Sequence, residues 1–416
     1  MIGDSNSYEE ILERIPNRRD RFIEHNEILL VRLEEILPVL LKDSDFDTWL
    51  VLGREYNEDP VMFTLLPAAY RNASRYTAFV FKGTDRYVLS PYGKMMTGFY
   101  TSVWDVTQGD FWTALRKLLK DIGAENVGVN FSSSIALADG VTHTLFKKLE
   151  EVVGDFVRLT GAEDLVVNWL QTRTKRELDL YRDLDKIAHA IIAKAFSRDA
   201  IFPGITTTSD IEWSLRDLAE RLGLETWFGP DVDFQRKGLD NPRSTGVVCE
   251  GDFLHCDFGF HYNGLATDTQ QMFYLPLKRE DRTIDELRRV IRDTNFVQDT
   301  LARNFIVGLT GNDVLCQTLK EVKRLNLEAM IYTHPIGFNG HGAGPTIGLW
   351  NNQKWVEGSG ELKLRDMSCF AMELNCRTNV DSWEGQGVFG FLEETVAFRE
   401  GHIDYLDGRQ TEVYLI

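Results

Sequence analysis

The spacing of apolar residues alternates between helical and strand-like along the chain, so it predicts both kinds of element throughout. Residues 7–42 have apolar side chains at roughly helical spacing after a Ser7–Glu10 capping box, and Pro16 should split them into two helices. The predicted strands that follow are 48–53, 76–82, 86–90, 126–131 and 165–169, and the predicted helices are 111–122 and 142–154.

A charged amphipathic helix, predicted over 175–196, separates this part from the rest of the chain. Together with the length of 416 residues, it predicts two domains, residues 1–165 and 166–416. In the second domain we predict one helix that begins near Ser209 and two more over 284–305 and 312–325. The predicted strands lie near 245–249, within 254–273 and at several places between Glu328 and the end.

Residues 254–273 contain an Asn263-Gly264 pair between β-rich runs, which predicts a hairpin. Asp257 and Asp268 flank this pair and should lie nearly opposite each other, with their Cβ atoms roughly 5 Å apart. The midpoint between them misses the centre of the turn by one residue, so we allow for a bulge. Two ionised carboxylates that close repel each other unless a cation lies between them, which favours a metal site. The alternative is an exposed hairpin tip with two solvated aspartates.

Two histidines, His334 and His341, lie in a segment that is rich in glycine and proline and therefore cannot be helical. They should project from a loop whose backbone can approach a ligand or another segment closely. Two predicted strands, 369–375 and 388–398, each place acidic residues in an apolar run. These residues are Glu373 in the first strand and the adjacent Glu393 and Glu394 in the second. Periodicity does not choose between Glu393 and Glu394.

Two aspartates, one histidine and two glutamates form an oxygen-rich donor set that suits Mn²⁺, with Fe²⁺, Co²⁺ or Zn²⁺ as alternatives. Four carboxylates and one histidine exceed what one small ion needs, so we predict two divalent ions with bridging carboxylates.

With these motifs in order (CDFG, ATDT, HPIGFNGH, AMEL and LEET), residues 170–405 resemble the pita-bread metallopeptidases, which include aminopeptidase P, prolidase, methionine aminopeptidase and creatinase. The resemblance implies an α+β fold, with a creatinase-type N-terminal α/β domain before a pita-bread catalytic domain. It implies five metal ligands, with bridging by the second and the last: Asp257, Asp268, His334, Glu373 and Glu393. It also implies attack by a metal-bridging hydroxide on the bond before proline, with His341 near the substrate carbonyl and Glu373 passing a proton to the leaving nitrogen.

This chain departs from the family pattern at three places. The family's peptidases carry a further histidine about seventeen residues before the first aspartate, but this chain has no histidine near position 240. Phe391 stands where prolidase and aminopeptidase P have arginine. The usual Asp-x-Thr-Arg pattern has become Asp268-Thr-Gln-Gln271. The residues that we predict as substitute substrate contacts are His255, Arg377 and Trp350.

Composition limits the partners. A net charge of −18 disfavours nucleic acid, and the polar N-terminus and the lack of long apolar runs predict neither a signal peptide nor a membrane span. We therefore expect a cytoplasmic metallopeptidase, a homodimer by analogy with the family, that acts on small peptides as an Xaa-Pro aminopeptidase or dipeptidase. The alternatives are a non-peptidase C–N hydrolase or lyase on the same fold, and a non-catalytic peptide-binding module.

Overall fold

The computed structural model describes residues 7–277 and 282–416 and divides into two compact units. One unit is Pro16–Thr174, and the other combines the described residues up to Ile15 with Lys175–Ile416. The division thus falls between Thr174 and Lys175, later in the chain than the predicted 165/166 boundary, and the first helix joins the second unit.

Most predicted helices are present. Within the described residues the α-helices are α1 Tyr8–Arg14, α2 Arg18–Val31, α3 Leu37–Lys42, α4 Phe111–Asp121, α5 His143–Val153, α6 Glu163–Gln171, α7 Lys175–Ala195, α8 Thr208–Arg221, α9 Arg282–Arg303 and α10 Gly311–Arg324. The Ser7–Glu10 capping box and the interruption at Pro16 are confirmed. None of the helices in the described part of the chain combines the length and apolar character of a membrane span.

The unit Pro16–Thr174 contains one mixed sheet with the strand order β4-β3-β2-β1-β5-β6. Its strands are β1 Thr48–Arg54, β2 Tyr76–Lys82, β3 Asp85–Leu89, β4 Thr101–Trp104, β5 Asn126–Val129 and β6 Arg158–Gly161. The predicted strand 165–169 is wrong, because these residues lie in the buried helix α6. A short run that is apolar except for Asn168 fits a buried helix turn as well as a strand.

The described residues of the second unit form four small sheets, with strand orders β11-β10-β7, β20-β12-β9-β8, β13-β16-β17 and β14-β15-β18-β19. Its strands are β7 Glu225–Thr226, β8 Asp231–Gln235, β9 Phe253–Phe258, β10 Phe260–Tyr262, β11 Leu265–Ala266, β12 Thr269–Tyr274, β13 Glu328–Ile331, β14 His334–Pro335, β15 Ser368–Ala371, β16 Leu374–Val380, β17 Gln386–Leu392, β18 Thr395–Arg399, β19 His402–Tyr405 and β20 Tyr414–Leu415. The predicted strand near 245–249 is wrong, since that segment forms only an isolated bridge at Val247. β9 pairs with β12 along one edge, and along the other edge it pairs with β8, which lies earlier in the chain.

Apolar side chains of α7 and α8 pack against β8, β9 and β12 and form the largest core of the second unit. Two further cores join α9 and α10 to the C-terminal strands. Helices thus cover the outer faces of the sheets and leave the polar positions of β8, β9 and β12 to a shared inner face.

Candidate metal centre

The Asn263-Gly264 hairpin forms, but its register differs from the predicted one. Both turn residues have positive φ, 50° and 82°, as a two-residue type I′ turn requires. The register continues without a bulge into β9 and β12, so Asp257 lies opposite Gln270. Asp268 is therefore a diagonal neighbour of Asp257 on the same face, and burial together with the charge of Asp257 raises the pKa of Asp268.

Five polar side chains form one row across neighbouring strands. Asp231 pairs with Asp257, and Asp257 with Gln270. Gln270 in turn forms a bridge with Glu393. The pairing of β15 with β18 continues without a shift into the pairing of β16 with β17. Glu373 and Glu393, which lie between these strands, are therefore opposite each other. Paired residues point to the same face of a sheet, so this row brings four carboxylates and one amide together.

The two glutamates of the row lie at strand breaks, where we predicted uninterrupted strands. Glu373 lies between β15 and β16, and Glu393 lies between β17 and β18. The predicted strands 369–375 and 388–398 are thus each divided between two sheets. The breaks place both glutamates at the junction of the two sheets instead of within one flat surface.

His334 completes the cluster from β14, at the start of the glycine-rich segment, which is not helical, as predicted. The prediction that His334 projects from a loop is wrong, because β14 pairs with β15. Its Nε2 lies 3.7 Å from Asp268 Oδ2 and 3.7 Å from Glu393 Oε1. Ligand atoms of these three buried residues all lie within 4.8 Å of one another. The Nδ1 of His334 lies 3.2 Å from the carbonyl oxygen of Pro335, and an N–H donated there leaves the lone pair on Nε2 facing the carboxylates.

The electrostatics of the cluster match a site for cations. Burial raises the pKa of Asp257 to about 6, and burial together with the charge of Asp257 raises that of Glu373 to about 7. Burial and the neighbouring carboxylates raise the pKa values of Asp268 and Glu393 well above their usual range. Asp257 Oδ1 and Glu393 Oε1 are buried and make no hydrogen bond within the described residues. Divalent ions would satisfy these oxygens and offset the repulsion, so the donor set fits metal.

Glu394, the neighbour of Glu393, points to a different set of partners. Its Oε2 lies 3.0 Å from His189 Nε2, and its Oε1 accepts the backbone N–H of Gln410 at 3.1 Å. The other ring nitrogen of His189 lies 2.8 Å from Asp407 Oδ2. Both oxygens of Glu394 are therefore occupied on the helical side of the strand, away from His334.

This cluster predicts a pH dependence of stability. Burial opposes protonation of His189, but Glu394 and Asp407 outweigh it and raise its pKa to about 10. A histidine whose folded pKa lies above its unfolded value stabilises the fold at low pH. We therefore expect the free energy of unfolding to fall between about pH 6.5 and 10, by up to about 1.4 kcal/mol per pH unit.

Urea denaturation of wild type and of His189→Gln at several pH values checks this expectation. The variant should be less stable than wild type near pH 7 and should lose most of this slope. Substitution of the exposed His402 by glutamine is the control, and it should leave the slope unchanged. An equal slope in wild type and His189→Gln would refute the expectation.

The rim of the site is aromatic. The ring of the exposed His341 lies 4.8 Å from that of His334, 5.4 Å from that of Trp227 and 6.0 Å from that of Tyr332. A Cβ at Gly340 would overlap the ring of Trp227, which confirms the close approach predicted for this loop. Partial desolvation lowers the pKa of His341, so its imidazole is neutral at pH 7 and can donate one N–H toward the cluster.

Three predicted substrate contacts have other surroundings. His255 is buried, and its two ring nitrogens face Asp233 and Gln270, which does not support a direct substrate contact. Arg377 lies four residues beyond Glu373, and its guanidinium lies 3.2 Å from a carboxylate oxygen of Glu328. Trp350 lies in an exposed turn. For Arg377 and Trp350, a role in substrate binding stays a prediction.

Sequence reasoning missed Tyr332, Asp233 and the central position of Gln270. Burial first, and then the carboxylates of Glu373, Glu393 and Asp268, raise the pKa of Tyr332 to about 12. Tyr332 precedes His334 by two positions, the spacing that puts side chains on one face of an extended chain, and this spacing was the available signal.

The family model for metallopeptidase family M24 matches residues 179–400. Two curated relatives, from Mycoplasma genitalium and Mycoplasma pneumoniae, are both provisionally named Xaa-Pro aminopeptidases. They are 23% identical over 233 residues and 24% identical over 201 residues. These matches cover 51% and 46% of this chain, and 62% and 53% of the relatives, so less than two thirds of either relative is spanned.

Solved structures share the fold over nearly the whole chain. An X-Pro aminopeptidase from Thermotoga maritima is 17% identical with a TM-score of 0.65, and the match covers 91% of this chain and 100% of that one. An Xaa-Pro dipeptidase from Bacillus anthracis is 16% identical with a TM-score of 0.62, over 95% and 100%. The N-terminal domain of a FACT complex subunit from chickpea, 12% identical, also matches with a TM-score of 0.53, over 95% and 96%.

These likenesses confirm the predicted α+β fold, a creatinase-type N-terminal domain before a pita-bread domain. The row of carboxylates and His334 lie within the segment that the family model matches, and that segment covers more than half of the 416 residues. The chain therefore belongs to metallopeptidase family M24.

Proposed function

We propose that this protein is a dinuclear metal-dependent hydrolase that cleaves the bond before proline, as an Xaa-Pro aminopeptidase or dipeptidase. The observation that carries the proposal is the buried group of Asp268, His334 and Glu393, whose ligand atoms lie within 4.8 Å of one another. Asp257 and Glu373 stand beside this group in the same row and supply the further oxygens that a second ion needs.

From the family resemblance, Asp268 and Glu393 would be shared by two ions, Asp257 would hold one of them, and His334 with Glu373 would hold the other. The oxygen-rich set favours Mn²⁺ over softer metals. When bound, the cations would lower the pKa of a water toward about 7, which is the chemistry that they would supply at neutral pH.

The remaining steps use side chains of this chain. The neutral imidazole of His341, at the rim, donates its N–H to the carbonyl oxygen as negative charge develops there. Glu373 accepts a proton from the attacking water and passes it to the amide nitrogen, which leaves as an amine when the C–N bond breaks. Trp227 and Tyr332 limit the space beside His341.

The names of the curated relatives and solved structures support a substrate with proline after the cleaved bond. The choice between aminopeptidase and dipeptidase depends on what lies beyond this proline. A homodimer and a cytoplasmic location stay predictions from the family resemblance.

A peptide screen tests the proposal. Purified protein, stripped with chelator and reloaded with Mn²⁺, is given matched pairs such as Ala-Pro and Ala-Ala, and longer peptides with proline or alanine at the second position. We expect cleavage only of the proline peptides and only after metal is restored. A loaded protein that binds metal but cleaves no proline peptide would refute the peptidase assignment.

The second candidate is a non-peptidase C–N hydrolase or lyase on the same metal-binding fold. It is favoured by Phe391, which stands where the peptidases that this chain resembles have arginine. The ring of Phe391 stacks on that of Phe389 and lies 5.0 Å from the ring of His255, and the guanidinium of Arg243 lies over it, so residue 391 itself supplies an apolar ring and no charge. Metal binding without proline-bond cleavage would favour this candidate.

A further inference from the structure

Two residues that distinguish this hairpin, His255 and Gln270, contact each other beside the candidate ligands. The Nε2 of His255 lies 2.9 Å from Gln270 Oε1, and Gln270 Nε2 donates to Glu393 Oε2 at 2.9 Å. The backbones of Gln270 and Glu393 also exchange two hydrogen bonds, at 3.0 and 3.3 Å. Gln270 thus holds Glu393 by its main chain and by its side chain.

The direction of these hydrogen bonds follows from the chemistry of their ends. An ionised carboxylate, the form that binds metal, only accepts, so the amide nitrogen of Gln270 must face Glu393 and its oxygen must face His255. His255 therefore donates from Nε2. Its Nδ1 lies 3.1 Å from Asp233 Oδ2, another acceptor, so that nitrogen donates as well.

The far end of this chain of contacts is firmly anchored. Asp233 and His255 are each 1% exposed, and they are paired across β8 and β9. Arg243 donates from Nε to Asp233 Oδ2 at 2.7 Å, and its guanidinium lies over the ring of Phe391. The path from Arg243 to Glu393 therefore passes only through side chains with defined partners.

We propose that Gln270, held by His255, is a positioning residue that orients the carboxylate of Glu393 for metal binding. Gln270 occupies Oε2 of Glu393 and leaves Oε1, which is buried and makes no hydrogen bond within the described residues, facing His334. In this proposal neither Gln270 nor His255 is a ligand of the metal. The inference rests on the proposed metal-binding role of Glu393, and it predicts that metal affinity depends on a residue that is not a ligand.

The test compares two substitutions of adjacent glutamines. Gln270→Met removes the amide at similar volume, whereas Gln271→Met, the matched control, removes a buried amide on the opposite face of β12. Mn²⁺ dissociation constants are measured by calorimetry on stripped protein. We expect Gln270→Met to weaken Mn²⁺ binding roughly 10- to 100-fold, and Gln271→Met to bind like wild type.

Variants of His255 separate positioning from a general loss of packing. His255→Phe should weaken Mn²⁺ binding in the same direction, and its combination with Gln270→Met should be no weaker than Gln270→Met alone, because His255 acts through Gln270. His255→Gln, which keeps an N–H near Gln270, should restore most of the affinity. If Gln270→Met does not fold, the two His255 variants carry the test.

Each outcome decides one question. Wild-type affinity in Gln270→Met, equal losses in both glutamine variants, or additive losses in the double variant would overturn the positioning role while the proposed hydrolase stands. The expected pattern of affinities together with no cleavage of any proline peptide would support the positioning role and reject the peptidase. A wild-type protein that binds no divalent metal would overturn both.

Discussion

Asp268→Asn and Glu393→Gln are each expected to abolish tight binding of divalent metal and all hydrolysis. Both carboxylates are buried beside His334, and each amide keeps the shape of the side chain but removes the negative charge that a bridging ligand needs. Metal content after dialysis, measured by plasma mass spectrometry, and calorimetric titration with Mn²⁺ check this result. Thermal unfolding of the metal-free proteins, which should match that of wild type, checks that the fold is kept.

Glu394→Gln is the matched control, because it changes the same residue type one position along the chain. The oxygens of Glu394 face His189 and Gln410, so metal content should stay near that of wild type. The free energy of unfolding of this variant should instead be lower by about 3 kcal/mol, because His189 loses a buried charged partner. Loss of metal in Glu394→Gln with retention in Glu393→Gln would reverse the ligand assignment.

His341→Ala is expected to leave metal content unchanged and to lower kcat by about 10², the typical effect of removing one donor to a developing oxyanion. The ring of His341 lies at the exposed rim, 4.8 Å from that of His334, where it can face a bound substrate without being a ligand. Initial rates on an Xaa-Pro substrate that the screen has identified, with Mn²⁺ at saturation, measure the change.

His341→Asn provides the rescue, since its amide keeps an N–H donor and should recover part of the lost rate. His402→Ala, at another exposed histidine, should have wild-type kcat. An unchanged kcat in His341→Ala would reject the oxyanion role, and loss of metal in that variant would instead make His341 a ligand or a support for one.

Helices were predicted well where their amphipathic pattern is long. The predicted 175–196, 284–305 and 312–325 correspond to α7, α9 and α10 within a few residues. The prediction failed at 165–169, where a short apolar run lies in α6, since both faces of that helix are buried and its periodicity is hidden. The predicted strand near 245–249 failed for a related reason, because pairing partners are not encoded locally.

The residue types of the metal centre were recognisable from the sequence, since carboxylates and histidine inside apolar runs need a chemical reason to be there. Their arrangement was not. The hairpin turn was predicted from Asn263-Gly264, but the absence of a bulge made Asp257 and Asp268 diagonal neighbours instead of a direct pair. The strand breaks at Glu373 and Glu393 also escaped prediction, because the apolar pattern continues through them.

By itself, the sequence determined the helices with long periodicity, the hairpin turn and the candidate ligands, because these depend on neighbours in the chain. Only the tertiary structure decided that Glu394 faces His189 while Glu393 faces His334, and that Gln270 stands between two candidate ligands. The physical reason is that a hydrogen bond forms only when its two heavy atoms lie within about 3.5 Å of each other. The partners Gln270 and Glu393 are 123 residues apart in the chain, and only folding brings them within that distance.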